Sequence, residues 1–291
     1  DELYIVTGYA SATFTKQHLD QTKSLNNPRI NLIIGMPRVK NDHIAFVELH
    51  KKFADRFKGY YLETPPPVHS KIYSWCNKSV GVLGFSGSSN YSQSGFLEST
   101  PQINQMKDDD PTEIKNFFDE LLERSTYMPE AKEVSGNVIT IPSIGGSINA
   151  GEAEWIEKNK SARISFLDKR TGNLPPRSGL NWGQREERPN KDEAYLSIKV
   201  PITKEGFLPE KGSRFSLITD DKKSFDCVVA QGGRKSIETT DDNSLLGKYI
   251  RKRIGVQLGT FVTKQDLENY GRTDFSIMKL DDETFMFDFS V

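Results

Sequence analysis

Short apolar segments alternate with helix-like stretches over the first 125 residues of the chain. An apolar run of four to eight residues that ends at Gly or Pro is typical of a strand, whereas apolar positions at intervals of three and four residues predict a helix. We predict strands at Leu3–Thr7, Ile30–Ile34, Val68–Trp75 and Val80–Phe85, and helices at Thr15–Ser24, at Asp42–Lys58 and from Pro111 onward. This alternating order predicts an α/β layer structure.

The pattern changes after Tyr127. Residues 135–150 are rich in Gly, Ser and Pro, which predicts a linker. Beyond it strands come closer together, with one helix at Ser244–Ile254, which predicts a small mainly-β barrel or sandwich. The predicted strands are Arg163–Leu167, Tyr195–Val200, Phe215–Thr219, Ser224–Ala230, Phe275–Leu280 and Phe285–Phe289. We therefore expect two domains, at residues 1–150 and 151–291.

Composition removes several classes of protein. The longest apolar runs, such as Ile30–Gly35, are far too short to span a membrane. The chain carries 39 basic and 40 acidic residues, so a nucleic-acid role would have to rest on local basic patches. Its two cysteines, Cys76 and Cys227, are too few for a disulfide framework or a zinc finger, so we expect buried thiols and a cytoplasmic setting.

The most informative segment runs from Val68 to Asn90. His69 and Lys71 share one face of a strand because side chains alternate there with a period of two. The next strand ends in a Gly/Ser-rich turn that carries Ser88 and Asn90. A histidine can attack phosphorus, while the lysine, hydroxyl and amide stabilise phosphate oxygens. The sequence therefore predicts a phosphate-handling site.

The His-x-Lys and Gly-Ser-x-Asn spacing resembles that of the phospholipase D superfamily. The flanking residues of both motifs look like its restriction-endonuclease branch, the NgoFVII-like enzymes. The resemblance implies that His69 forms a phosphohistidine intermediate and that Lys71, Ser88 and Asn90 bind the phosphate. It also implies that the site uses no metal and no other cofactor. Two positions depart from the superfamily pattern: Cys76 replaces a frequent Asp, and the acid that orients the histidine is displaced. We assign that orienting role to Glu98, with Asn104 or an acid from elsewhere as alternatives.

Other histidines have weaker contexts. His50 also begins a His-x-Lys pattern, but it is predicted on a solvated helix face with no Gly-Ser-x-Asn behind it. His18 and His43 have no lysine two residues later, and we expect them at the surface or at helix ends.

Two polar segments of the second domain carry side chains that read nucleic acid. Long Gly- and Pro-rich loops are usually functional, and arginine, asparagine and glutamine pair with purine edges. A third local basic cluster is predicted on the following helix at Arg251–Arg253. The candidate DNA-binding residues are Arg177 for a phosphate and Asn181, Trp182, Gln184, Arg185, Arg188, Gln231, Arg234, Lys235 and Asn243. The alternative for these segments is a pair of solvated loops, with Trp182 plugging the barrel.

These segments again look like the NgoFVII-like enzymes. The resemblance implies that the C-terminal half is a DNA-binding pseudobarrel similar to that of plant B3 transcription factors. Its two loops, the N-arm at Leu174–Asp192 and the C-arm at Ala230–Asp242, would grip the major groove of double-stranded DNA. We expect a sequence-specific, metal-independent endodeoxyribonuclease of a restriction system.

Two other functions stay open at this point. A phospholipase-D-type lipid hydrolase would use the same four side chains, but no membrane segment or amphipathic basic helix supports it. A DNA-binding regulator with an inactive nuclease domain would require decay of a motif that is intact here.

The resemblance also implies partners. Superfamily chemistry uses two facing histidine motifs, and this chain has one credible copy. We therefore predict a homodimer with one shared active site, joined through the Ser86–Phe96 loop, with Tyr91 and Phe96 at the interface. Relatives of this type can also depend on a separate helicase-like ATPase subunit.

Overall fold

A computed structural model describes residues 1–25, 27–37, 40–97, 104–131, 161–198, 207–232 and 235–291. The chain folds into two compact units, Asp1–Ile139 and Thr140–Val291. The predicted linker at residues 135–150 lies outside the described residues.

The N-terminal unit is built on one mixed sheet in the order β6-β5-β4-β1-β2-β3-β7. The three strands β1, β2 and β3 are parallel, and β4 pairs antiparallel with β1. The strands are β1 (Glu2–Thr7), β2 (Arg29–Ile34), β3 (Phe57–Leu62), β4 (Lys71–Asn77), β5 (Val80–Gly87), β6 (Met106–Asp108) and β7 (Ser125–Tyr127). The helices are α1 (Ala12–Gln21), α2 (Lys40–Lys52), α3 (Gln93–Phe96) and α4 (Pro111–Leu122), with 3₁₀ turns at Thr22–Ser24 and Met128–Glu130.

Apolar side chains cover both faces of this sheet. On one face Leu19 of α1 and Phe46 of α2 are fully buried in one cluster. On the other, Phe118 of α4 packs against Val6. Helix α4 begins where the sequence predicts, since Asp110 caps it and Pro111 opens it. The α/β prediction for this half is confirmed.

Some predictions for this half are wrong: the strand predicted from Val68 begins at Lys71, and the strands β3, β6 and β7 were not predicted. The helix predicted over Asp42–Lys58 ends at Lys52, and Phe57 begins β3 instead. Phe53 and Phe57 are both buried and stand four residues apart, so the strand entrance continues the helical apolar spacing.

The C-terminal unit is a second mixed sheet, in the order β8-β13-β14-β10-β11-β12-β9. Its core combines aliphatic side chains with several aromatic rings, among which Phe215, Phe275, Phe285 and Phe287 are fully buried. The strands are β8 (Ser161–Ser165), β9 (Leu196–Ser197), β10 (Arg214–Thr219), β11 (Ser224–Ala230), β12 (Ser236–Thr239), β13 (Asp274–Lys279) and β14 (Thr284–Asp288). The helices are α5 (Ser244–Arg253) and α6 (Lys264–Tyr270), with a 3₁₀ turn at Gly179–Gln184. The mainly-β prediction holds, although the sequence analysis missed β12 and α6.

Candidate functional site

The start of β4 brings His69 and Lys71 into contact. Lys71 pairs with Thr7 at the end of β1, and the Gly8 amide donates to the Ser70 carbonyl at 3.0 Å. The Lys71 Nζ atom lies 3.2 Å from Nε2 and 3.3 Å from Nδ1 of His69, and it donates to the His69 carbonyl oxygen at 2.9 Å. Two strand ends thus hold an ammonium group against an imidazole ring.

The residues that follow β1 pack against the ring of His69. A Cβ atom on Gly8 would lie 2.6 Å from the His69 Cδ2 atom, so only glycine lets the ring approach this closely. The Tyr9 ring meets the His69 ring edge to face at 5.7 Å. Within the described part of the chain, Lys71 is the one polar partner of the His69 ring. Burial lowers the pKa of Lys71. Gly8 and Tyr9 were not predicted as site residues. Their position directly after the strand predicted at Leu3–Thr7 is the sequence feature that could have indicated a place in the site.

The turn after β5 carries the other two predicted phosphate ligands. Ser88 is exposed, and its hydroxyl accepts from the Gln105 amide at 2.9 Å. Asn90 is half-buried, with its Oδ1 atom 3.5 Å from the Thr7 hydroxyl. Because Thr7 pairs with Lys71 in the ladder, this contact places Asn90 at the same end of the sheet as Lys71.

The residue predicted to orient His69 is Glu98. Glu98 lies outside the described residues. Asn104, the alternative, donates through its amide to the carbonyls of Ser94 at 2.9 Å and Gly95 at 3.3 Å. Its amide therefore braces the turn around α3 instead of the histidine.

Two other histidines are less exposed than the sequence predicts. His50 is buried, where it accepts from the Gly59 amide at 3.2 Å and contacts the Tyr127 hydroxyl at 3.2 Å. Burial, with a smaller contribution from His43, lowers the pKa of His50 to about 4. His18 is half-buried, and burial lowers its pKa as well. The solvated helix face predicted for His50 is wrong, because this side chain ties α2 to β3 and β7.

Two amide side chains predicted to read DNA from the N-arm, those of Asn181 and Gln184, form hydrogen bonds within the protein. Asn181 is fully buried and donates to the Val262 carbonyl at 2.8 Å, while its Oδ1 accepts from the Val262 amide at 2.9 Å. Gln184 donates to the carbonyls of Lys191 at 2.9 Å and Gly259 at 3.2 Å. Asn181 therefore presents no group to a DNA base in this structure, and Gln184 is committed to backbone carbonyls.

The N-arm arginines differ in how freely they reach solvent. The Arg177 side chain is 68% exposed, and Arg185 is 38% exposed while donating to the Arg177 carbonyl at 2.7 Å. The Arg188 guanidinium lies 3.6 Å from the centre of the Trp182 ring and pairs with Glu193 at 2.9 Å. The Trp182 ring itself is buried, as the plug alternative predicts.

The basic cluster predicted on α5 is mostly internal, which corrects the sequence reading. Arg251 is 1% exposed and lies 3.3 Å from the Asp192 carboxylate. Arg253 pairs with Asp220 and is largely covered. Only Lys252 of the three faces solvent. Two arginines of an apparent basic patch are thus interior ion-pair partners.

The C-arm is the hairpin between β11 and β12. Gln231 and Lys235 are exposed at its tip, and Gln231 donates to the Glu238 carboxylate at 3.2 Å. Arg234 lies outside the described residues. Asn243 precedes α5 without capping it through its side chain, and its carbonyl accepts from the Ala194 amide at 3.1 Å.

Lys235 at the tip of the C-arm and the end of the N-arm lie at opposite ends of one strand pair. At the N-arm end Ala194 bonds to Asn243, and at the C-arm end the Ile198 amide donates to the Lys235 carbonyl at 2.8 Å. Strands β9 and β12 are antiparallel between these points.

Two features are absent from the residues that the structure describes. No helix there is both long and apolar enough to cross a membrane. No cluster of three or more His, Cys, Asp or Glu side chains there has the arrangement of a metal site.

Comparison with known families gives the class of protein. Residues 1–136 match the NgoFVII restriction endonuclease N-terminal PLD domain, and residues 155–281 match the NgoFVII C-terminal B3-like DNA-binding domain. These two matches define a two-domain restriction endonuclease with a PLD domain followed by a DNA-binding domain. The chain belongs to the NgoFVII restriction endonuclease family. No curated protein matched it.

Proposed function

We propose that this protein is a sequence-specific endodeoxyribonuclease that hydrolyses phosphodiesters through a covalent phosphohistidine at His69. The observation that carries the proposal is the contact of Lys71 Nζ with both ring nitrogens of His69, at 3.2 and 3.3 Å, beside the turn that bears Asn90. Phosphate oxygens entering this site would compete for the ammonium. The lone pair of the imidazole is then left to attack phosphorus.

The proposed chemistry has two steps. A His69 ring nitrogen forms a bond to phosphorus, and the bond from phosphorus to the leaving deoxyribose oxygen breaks with its electron pair. A second histidine gives that oxygen a proton. Water then attacks phosphorus, that histidine takes a proton from the water, and the P–N bond breaks to return His69. Lys71, Ser88 and Asn90 stabilise the phosphate oxygens in both steps.

A homodimer would supply the second histidine. The predicted interface residues differ in the structure: Phe96 is 43% exposed, whereas Tyr91 is buried. Phe96 is therefore the interface candidate of the two, and Tyr91 supports the turn from inside. Mixing wild-type subunits with His69→Ala subunits tests the shared site, because a mixed dimer should lose nearly all activity. A catalytically active monomer at nanomolar concentration, seen by light scattering and cleavage together, would refute it.

The proposed DNA-recognition surface is the pair of arms. Arg177 and Arg185 on one arm and Gln231 and Lys235 on the other reach solvent, which suits contact with phosphates and base edges.

Incubation of the purified chain with phage DNA in EDTA, followed by sequencing of the ends, tests the whole proposal. Discrete fragments with a common end sequence are expected. Activity abolished by EDTA and restored by magnesium would overturn the metal-independent mechanism. Cleavage that appears only when a helicase-like ATPase and ATP are added would identify the partner subunit.

A further inference from the structure

The loop between α5 and α6 presents two large apolar side chains to solvent. In this 255–261 loop (Gly255–Phe261), Leu258 is 41% exposed and Phe261 is 43% exposed. Gly255 and Gly259 have φ angles of +73° and +78°, a backbone conformation that residues with a side chain rarely adopt. The two glycines therefore set the path on which Leu258 and Phe261 are displayed.

Hydrogen bonds fasten this loop to the N-arm. The Asp192 carboxylate accepts from the Gly259 amide at 2.7 Å, and Gln184 donates to the Gly259 carbonyl at 3.2 Å. Asn181 bonds both the amide and the carbonyl of Val262, immediately after the loop. Three N-arm side chains are thus used to hold the loop in place.

A buried arginine completes the attachment. Arg251 donates to the carbonyls of Thr260 and Leu180, both at 3.0 Å, and lies 3.3 Å from Asp192. A buried ion pair costs desolvation and is weak evidence for a gain in stability, although it can specify one arrangement. In this structure the pair lies where the 255–261 loop meets the N-arm.

We propose that the 255–261 loop is a third DNA-contacting segment, in which Leu258 and Phe261 touch an apolar surface of the duplex. This inference rests on the proposed function, since it takes the N-arm as a DNA-contacting element. Gln184 bonds Gly259 and is followed directly by Arg185, so the loop that carries Leu258 is attached to the N-arm one residue before its most accessible candidate for base contact. The apolar groups of duplex DNA at such a place are thymine methyl groups and deoxyribose faces.

The test uses the full chain with His69→Ala, which keeps the DNA intact, and a duplex selected by that protein from a random library. Leu258→Ser and Phe261→Ser should each weaken binding to the selected duplex by about five- to tenfold. The slope of log affinity against log salt should stay unchanged, because no phosphate contact is lost. Leu25→Ser is the matched control, since Leu25 is an exposed leucine of the N-terminal unit, and it should bind like the parent.

A second experiment identifies the apolar surface of the duplex. Each thymine of the selected duplex is replaced by deoxyuridine, which lacks the methyl group. If replacement of one thymine weakens binding by the parent but does not further weaken binding by the serine variants, the contact is with a thymine methyl group. If replacement of no thymine changes the affinity, the contact is with a deoxyribose.

Two results would overturn the inference alone: serine variants that bind the selected duplex as the parent does, or variants whose salt slope falls as though a phosphate contact had gone. A parent protein that selects no sequence at all would instead overturn the proposed function, and this inference with it. Equal melting temperatures of parent and variants confirm that these exposed substitutions leave the fold intact.

Discussion

Two asparagines at predicted sites, Asn90 beside β4 and Asn181 in the N-arm, are used in opposite ways. The Asn90 side chain has one long contact, 3.5 Å to Thr7, among the described residues. Asn181 is fully buried and bonds the backbone of Val262 through both its donor and its acceptor. The difference teaches that a residue type suited to a ligand is available to it only where the fold leaves its hydrogen-bonding groups unused.

The same contrast separates two cations. Lys71 contacts an imidazole at a strand end and retains protons for a phosphate. Arg251 donates to backbone carbonyls from a buried position next to Asp192. We therefore expect substitutions at the first kind of site to change chemistry, and substitutions at the second to change folding.

His69→Ala should have the largest effect. Cleavage is expected to fall by about 10⁴-fold or more, because the proposed nucleophile is gone. DNA binding should persist, since the arms belong to the other unit. A nicking assay and a binding assay on one preparation measure both. Cleavage within tenfold of wild type would show that His69 is not the reacting group.

Arg251→Ala tests the other side of the comparison. Leaving Asp192 buried without its partner should lower the free energy of unfolding by about 3–5 kcal/mol. The neighbouring Lys252→Ala, at an exposed position of the same helix, should stay within about 0.5 kcal/mol. Urea denaturation measures both. Equal stability of the two variants would mean that the ion pair between Arg251 and Asp192 is not formed in solution.

Acid should destabilise the protein through His50. Its pKa is about 4 in the folded chain and about 6.5 when unfolded, so the unfolded chain binds the proton first as the pH falls. Stability from this group is complete above about pH 6.5 and is lost towards pH 4, by up to about 3 kcal/mol. His18, whose pKa is also lowered, acts in the same direction.

The measurement for this prediction is the free energy of unfolding of the full chain between pH 7.5 and pH 4.5. His50→Gln should remove a large part of the slope. An unchanged slope in that variant would assign the acid sensitivity to other groups.

The smallest effects are expected on the exposed face of the N-arm. Arg185→Ala should cost about 1–3 kcal/mol of binding and relax specificity at one base pair if it reads a guanine. Arg177→Ala should weaken all sequences alike and flatten the salt dependence. Arg188→Ala also removes the stack on Trp182, so its melting temperature must be compared with that of wild type. Equal, sequence-independent losses for Arg177 and Arg185 would show that the arm positions the DNA without reading it.

The sequence predicted those parts of the fold that depend on near neighbours. The capped start of α4 at Asp110 and Pro111 and most strands of both sheets follow from local pattern. The contact of His69 with Lys71 follows from their spacing of two residues at the start of β4. These features need no knowledge of distant contacts.

The errors have the opposite origin. Asn181 lies in a polar, glycine-rich stretch typical of an exposed loop, and its partner Val262 is 81 residues away. His50 is buried by a contact with Tyr127, 77 residues away. Arg251 looks like part of a basic patch until Asp192 is placed beside it. In each case a tertiary partner, invisible to local pattern, decides whether the side chain faces solvent.

The bonds that join the N-arm to the 255–261 loop have a consequence for how binding preference can change. Asn181, Gln184 and Arg251 all bond to backbone atoms of their targets, at Val262, Gly259 and Thr260. Backbone groups are the same whatever side chain a position carries. Exposed neighbours such as Leu258 and Arg185 can therefore be exchanged while the frame that displays them is kept. A library that varies only those outward positions should yield enzymes with new target sequences on an unaltered scaffold.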